Sequence, residues 1–516
     1  MTFRRRLITV LIICALVGGI CGAGLAGLTV TQESEESETE DSLFGHRETL
    51  YLWYTDEALT DYLNSIVVSY NEFQQDVRVI PVYTPGLEYL ETINQASLQS
   101  EETPDLYIIG NDSLEKAYLA GLASQIRIPE GVPAPEILFP ESSIHAVTYH
   151  EKLIGYPFYF ETSSFLYNKT YLEDWARAQI EAEKDAAEGE AAQEAADREE
   201  PSDTDAADTE TVVISEEEVE ARVDQTLPKT VDDILAFADI YDAPEQVEAV
   251  FKWDVSDIFY NYFFVGNYID VGGSEGDQDD SIDIYNENAI RCMRVYQNLN
   301  QFFSIDTVEI SYADILQDFI DGRILYTVVT TDALAKIEEA KANGEFQYEY
   351  GTSLIPDVNE ELVSRSLSVT QCVVVNGYST HKDMANDFAI YLSCYDESVR
   401  NLYDRTGKLP ALSGVDITNP NADAFVDEYE KSIPNPKMIE TSNYWVEMEI
   451  AFARIWEGED ANAELKALSE KIMTQIRGEA YEETYLDIPE DTPEEDADGE
   501  DGIEGEETDM EEDDTE

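Results

Sequence analysis

Between residues 49 and 109 the hydrophobic pattern switches period four times, and that alternation constrains the fold more than any other feature of the chain. Thr49-Leu50-Tyr51-Leu52-Trp53-Tyr54 reads as a strand closed by Asp56 and Glu57. Leu63, Ile66, Val67, Tyr70 and Phe73 then recur at three- and four-residue spacing, which predicts a helix over Leu59 to Phe73. Val77 to Val82 is a second strand and Tyr89 to Gln99 a second helix; Asp105-Leu106-Tyr107-Ile108-Ile109, introduced by Pro104, is a third strand. Strand, helix, strand, helix, strand implies a parallel sheet wrapped by helices, because a parallel neighbour is reached only through a crossover. Loops leaving the strand ends gather at one rim, where such sheets bind ligands. Asp56, Glu57 and Asp112 each follow a strand and are candidate rim carboxylates.

At 516 residues the chain is too long for one core, so two or three domains are expected. Its 111 acidic residues against 31 basic ones set a formal charge of -80, which repels phosphate backbones and excludes nucleic acid as a partner. Setting aside the acidic terminal and internal low-complexity segments leaves roughly -44 on the folded body. With few Arg or Lys to clamp an anion, a neutral or cationic ligand is favoured. Four His and no HExxH or CxxC motif leave a zinc site without support, and no cofactor is expected. No nucleophile with a base partner can be assembled, so an enzyme is not expected. Cys292, Cys372 and Cys394 allow either one disulfide, Cys372 with Cys394 as the first pairing to test, or three buried thiols.

Arg4-Arg5-Arg6 precede an apolar run from Leu7 to Val30, about 24 residues, long enough to cross a bilayer as a helix. The arginines hold that end in the cytoplasm and send the remainder outside. Residues 1–30 are thus a membrane anchor or, with Gly24-Leu25-Ala26 as a cleavage site, a signal peptide. Residues 31–47 read as an acidic disordered stalk and 487–516 as an acidic disordered tail. Residues 178–226 are an Ala-, Glu- and Asp-rich insertion with no evident apolar stripe, expected to be a solvated, mobile excursion.

His150-Glu151-Lys152-Leu153-Ile154-Gly155-Tyr156-Pro157, followed by Phe160-Glu161-Thr162-Ser163-Ser164-Phe165-Leu166-Tyr167-Asn168-Lys169, reads as a loop, a strand from Gly155 to Phe160, and a polar turn into a second strand. This run resembles the segment by which family 1 extracellular solute-binding proteins, the maltose-binding type serving ABC sugar importers, pass from one lobe to the other. Further on, Tyr312 to Arg323 resembles the family's helix that ends at a glycine and feeds a second-lobe strand, Ile324 to Val329. Ser366 to Asn376 looks like the return crossing, followed by a helix over Met384 to Tyr395. Helices are also expected over Val231 to Ile240, Val255 to Phe264 and Tyr285 to Phe303. Ser432-Ile433-Pro434-Asn435-Pro436-Lys437, leading to Thr441-Ser442-Asn443-Tyr444-Trp445, resembles the approach to a helix whose first turn presents an aromatic ring to a sugar.

The resemblance spans about residues 48–486 and implies a periplasmic-binding-protein type II fold: two α/β lobes joined by a hinge, with a cleft between them. Lobe I would comprise 48–158 and 372–415, and lobe II 163–365 and 425–486. It implies ligand contacts from Asp56, Glu57, Asp112, Glu161, Trp253, Asp257, Tyr444 and Trp445. Carboxylates accept vicinal hydroxyls, and an indole face stacks on the C–H face of a pyranose. The implied function is extracellular capture of a mono- or oligosaccharide by a monomer, with hinge closure and delivery to the transmembrane subunits of an ABC permease. Cys21, preceded by Gly18-Gly19-Ile20, departs from the family's lipoprotein pattern, so the N-terminal helix would be the tether. Acidic residues beside aromatics would equally suit a polyamine or other cation. A third reading is an extracellular sensing or adhesion module without a transport partner.

Overall fold

The computed structural model describes residues 47–99, 103–197, 214–303, 305–307, 310–441 and 443–489. The anchor or signal segment, nearly all of the stalk and most of the acidic tail lie outside the described residues. Among the described residues no helix is long and apolar enough to cross a membrane.

The opening alternation folds as its periodicity dictates. Strands Glu48–Tyr54, Val77–Tyr83 and Leu106–Gly110 flank helices Thr60–Phe73 and Tyr89–Gln99, with Glu48–Tyr54 paired in parallel to both neighbours. The return strand, Leu367–Val375, adds antiparallel to Leu106–Gly110. Its other edge pairs antiparallel with Tyr156–Asn168, the strand that crosses between the lobes.

This crossing strand differs from expectation. The polar stretch Glu161-Thr162-Ser163-Ser164 is no turn; it continues a single strand of 13 residues. Its backbone is paired throughout, Glu161 and Thr162 with Val369 and Ser368, then Ser163 and Ser164 with Thr330 and Val329. A strand advances about 3.3 Å per residue, so this one spans roughly 40 Å, enough to belong to two lobes. Its first half also pairs with Leu409–Pro410, and its second half carries Ile324–Thr330 and Tyr350–Ser353 as antiparallel neighbours.

Each lobe has its own core. The lobe I sheet buries Leu52, Tyr62, Leu106 and Phe388 on one face, and Ile93, Tyr107, Cys372 and Val374 on the other. Lobe II packs Phe251, Trp253, Tyr296, Phe452 and Trp456 into one aromatic cluster. Around the crossing strand a further cluster joins Phe160, Leu166, Phe319, Val329, Leu409 and Tyr429. Phe160 and Tyr429 stack there at 3.9 Å with an interplanar angle of 1°. Gly322, at φ 75°, ends helix Tyr312–Ile320 in the left-handed conformation that favours glycine, and a Cβ there would press on the Tyr348 ring.

Two further expectations change and one open alternative closes. Residues 255–264 form two short 3-10 turns, Ile258–Tyr260 and Tyr262–Phe264, instead of one helix, because Asp257 caps the first and the aromatic run is buried on all sides. The insertion is folded on both flanks: helix Lys169–Asp197 packs against helix Glu216–Thr226, whose Ser215 and Glu218 form a capping box. Val219 and Val223, one turn apart, are buried in the lobe II core with Ile180. Arg222 bonds Glu183 in bidentate fashion at 2.9 and 2.8 Å, and Arg177 pairs with Glu216. Finally, the three cysteines among the described residues, Cys292, Cys372 and Cys394, are free thiols, Cys292 and Cys372 fully buried.

At the C-terminal end the folded part runs past residue 487. Arg294 donates to the carbonyls of Ile488 and Pro489, and Ile488 packs on the lobe II core.

Candidate functional site

The site starts from an irregularity in the crossing strand. Opposite Leu367–Val375 the register shifts between Gln371 and Cys372, with Tyr159 and Pro157 as their partners, so Phe158 is one residue too many. A bulge of this kind reverses the alternation of side chains beyond it. Tyr156, Phe158 and Tyr159 consequently all face one core cluster, and Glu161, two residues past Tyr159, shares its side. Phe160 is turned to the opposite face, onto Tyr429.

On the Glu161 side lies a cavity of about 510 Å³, a size suited to a small polar molecule. Lobe II supplies Asp257, Phe259 and Tyr260 from the first 3-10 turn, Tyr312 from the start of its helix, and Thr330 with Asp332 at the end of strand Ile324–Thr330. Lys408, Asn435 and Trp445 complete the wall with Glu161. Tyr260 and Tyr312 stack at 4.7 Å, and Trp445 stands edge-on to Tyr262 and Tyr444.

The charges within this wall are arranged in distinct ways. The Lys408 ammonium lies 3.0 Å from an Asp56 oxygen and 3.3 Å from a Glu161 oxygen, and 5.4 Å above the Tyr159 ring. Burial acts to lower its pKa, but Glu161 and Asp56 outweigh burial and hold the ammonium above its usual range. Asp332 is likewise satisfied. Burial acts to raise it, while Lys336 at 2.5 Å and the hydroxyls of Thr330 and Tyr312 prevail and lower it. Asp257 is different: it accepts the Phe259 N–H at 2.8 Å and has no basic partner among the described residues. Its carboxyl is raised by desolvation, and Glu449, one turn from Trp445 on the same helix, is raised by desolvation and by Asp257. Asp257 nevertheless stays open to water, as a carboxylate sunk in a concave wall does.

The eight residues proposed from sequence divide accordingly. Glu161, Asp257 and Trp445 line the cavity, and Asp56 reaches it through Lys408 while capping Ala58 N–H at 3.0 Å. Glu57 is exposed on the same turn, off the wall. Asp112 is also off the wall, though its neighbour Asn111 donates to the Asn435 carbonyl at 2.7 Å. Trp253 and Tyr444 stand elsewhere: both are fully buried. Trp253 stacks on Phe251 at 4.5 Å and donates its indole N–H to Asn261, and Tyr444 packs against Tyr262 within the core. They are corrected to core residues, because no face of either ring is left for a ligand.

Tyr260, Tyr312, Thr330, Asp332, Lys408 and Asn435 were not singled out by sequence reasoning. Thr330-Thr331-Asp332 follow a strand end, the same signal that marks Asp56, and Asn435 lies in the proline-containing segment before Trp445. Lys408 carries no local signal beyond being one of few lysines.

The family described as bacterial extracellular solute-binding protein matches residues 65–430. Among solved structures, the extracellular solute-binding protein from Staphylococcus aureus in complex with maltose has a TM-score of 0.64 at 17% identity, covering 83% of this chain and 98% of that one. The maltose-binding periplasmic protein from Listeria monocytogenes, also in complex with maltose, has a TM-score of 0.62 at 19% identity, covering 84% and 100%. A cyclo/maltodextrin-binding protein complexed with maltotetraose has a TM-score of 0.63 at 17% identity, covering 84% and 97%. No curated protein matches the sequence. At these identities the likeness is one of fold, the type II arrangement of two α/β lobes.

Proposed function

Because the chain belongs to the bacterial extracellular solute-binding protein family, we propose that it captures a carbohydrate in the cavity beside Glu161 and closes its lobes around it. The observation that carries this reading is the convergence of Glu161, Asp257, Tyr312 and Trp445 on one cavity of about 510 Å³. Carboxylates there accept sugar hydroxyls, Asn435 and Tyr312 offer further polar contacts, and the half-buried Trp445 ring supplies a stacking face. The relatives of similar fold whose names record maltose or maltodextrins support a sugar, and a neutral one accords with the acidic body.

The geometry of the crossing strand supports closure. Glu161 sits midway along it, with Asp56 and Lys408 on one side and Asp257, Asp332 and Trp445 on the other. A ligand touching both sides binds the closed arrangement more tightly than the open one, and that difference in affinity drives the shift. We further propose that lobe I comprises 48–158 and 372–415 and lobe II 163–365 and 425–486. In this reading an ABC permease receives the closed form, and residues 1–30 hold the protein at the extracellular face. Melting the protein against mono- and oligosaccharides tests the reading: a bound sugar raises the melting temperature in proportion to the logarithm of its concentration. Absence of any shift across glucose, maltose and longer maltodextrins counts against a sugar of this type.

A further inference from the structure

We infer that Lys408 is a built-in cation that fills an amine subsite of the cavity and thereby sets its specificity toward neutral ligands. This rests on the reading of the cavity as the ligand site and names what the site rejects.

The observations are geometric. Two carboxylates from separate segments, Asp56 after the first strand and Glu161 on the crossing strand, converge on a single ammonium at 3.0 and 3.3 Å. Below it lies the Tyr159 ring at 5.4 Å, a ring face that attracts cations. Two anions and an aromatic face around one nitrogen make the kind of box that would bind an alkylammonium ligand, and here the chain's own side chain occupies it. The Lys408 side chain is 20% exposed, so it is held in the wall and does not merely reach across a surface. Its backbone is fixed by the next two residues, Leu409–Pro410, paired to Phe160 and Tyr159 of the crossing strand.

The consequence is a change in what the cavity offers a guest. With Lys408 in place, Asp56 and Glu161 are already paired, and a second ammonium entering there meets a like charge within contact distance. Glu161 retains lone pairs for hydroxyl donors, because a carboxylate oxygen accepts more than one hydrogen bond. A neutral polyol is therefore accepted where an amine is refused. Removing Lys408 uncovers two carboxylates over an aromatic ring and should turn the subsite into an amine receptor.

The test uses the full chain, its Lys408→Ala variant, and n-butylammonium chloride, whose chain and head group reproduce the missing side chain. Melting temperature is followed against n-butylammonium, with sodium chloride at equal ionic strength as the control. The expected result is a half-saturating concentration at least about tenfold lower for Lys408→Ala than for the unaltered protein. Adding Asp56→Asn, which keeps an acceptor for Ala58 N–H, should reverse most of that gain. Lys408→Met keeps the aliphatic stem on Tyr159 and loses only the charge; because that stem fills the space of the n-butyl chain, ammonium chloride replaces n-butylammonium as its probe if Lys408→Ala fails to fold, and a lower half-saturating concentration than for the unaltered protein is expected. Equal response of the unaltered protein and the variants, or a gain that survives Asp56→Asn, overturns the inference. Sugar binding by the unaltered protein is read in a separate titration, so failure of the carbohydrate reading and failure of this inference are told apart.

Discussion

Replacing Trp445 with alanine separates ligand contact from core packing, because Trp253, which the sequence ranks as a comparable candidate, is a core residue. Trp445 is half-buried on the cavity wall, and its neighbours Tyr262 and Tyr444 remain packed on each other without it. Stacking one sugar ring on the indole covers roughly 60 Å² of apolar surface, which at about 25 cal/mol/Å² is ~1.5 kcal/mol, or about tenfold in Kd. Trp445→Ala should therefore weaken binding by about tenfold, within the 1 to 3 kcal/mol usual for an aromatic anchor, with a small change in melting temperature. Trp253→Phe should do the opposite. It leaves Asn261 without the indole N–H donated at 2.8 Å and opens space beside Phe251 and Trp456, a loss of about 2 to 3 kcal/mol in stability with Kd nearly unchanged. Calorimetry with the best sugar and thermal melts of both variants decide the matter. Unchanged affinity in Trp445→Ala, or an equal loss of stability in both, would refute the assignment.

Val223→Asp should lower the melting temperature by several degrees, since it buries an unpaired carboxylate between the insertion and the lobe II core; an unchanged melt would show that helix Glu216–Thr226 does not pack there. Lys437 is fully buried and its pKa is lowered to about 8, by burial first, against Asp277, Glu275, Cys372 and Glu115, which act to raise it. Its folded pKa is below its unfolded value of 10.5, so the unfolded chain binds more protons between those limits. Stability should accordingly gain up to about 3 kcal/mol from this group as pH rises from about 8 to about 10.5, and Lys437→Met should flatten the dependence in denaturant titrations. Cys292, Cys372 and Cys394 should resist a thiol reagent until denaturant is added, burial having pushed all three thiols up, those of Cys292 and Cys394 to about 12; a disulfide would instead leave fewer thiols to react in the unfolded chain.

Elements with a clean period were legible. The three lobe I strands and their two helices, and helix Val231–Ile240, stand where the pattern puts them, and the glycine stop at Gly322 stands where the resemblance implies it. What periodicity could not convey was phase and partnership. The bulge at Phe158 adds one residue and decides which face Glu161 takes; Pro157, which has no N–H to give a ladder, hints at an irregularity there but not at its phase. Glu161-Thr162-Ser163-Ser164 looked like a turn because it is polar, yet each of the four has a strand partner, the first two on Leu367–Val375 and the last two on Ile324–Thr330, so the backbone stays extended. Composition concealed Val219 and Val223: two apolar residues one turn apart suffice to dock a short helix, however many carboxylates surround them. Trp253 and Trp445 show the same limit in the site, since both are aromatic residues beside an acidic segment and only packing separates wall from core. Lys408 was invisible because its partners, Asp56 and Glu161, are remote in sequence.

The central claim is that the lobes close about the crossing strand onto a sugar. Spin labels at exposed Glu57 in lobe I and exposed Val446 in lobe II report the distance between lobes directly. The distance distribution should shift to shorter values on saturation with a sugar that raises the melting temperature, and Trp445→Ala should require about tenfold more sugar for the same shift. A distribution unchanged at saturation would contradict closure.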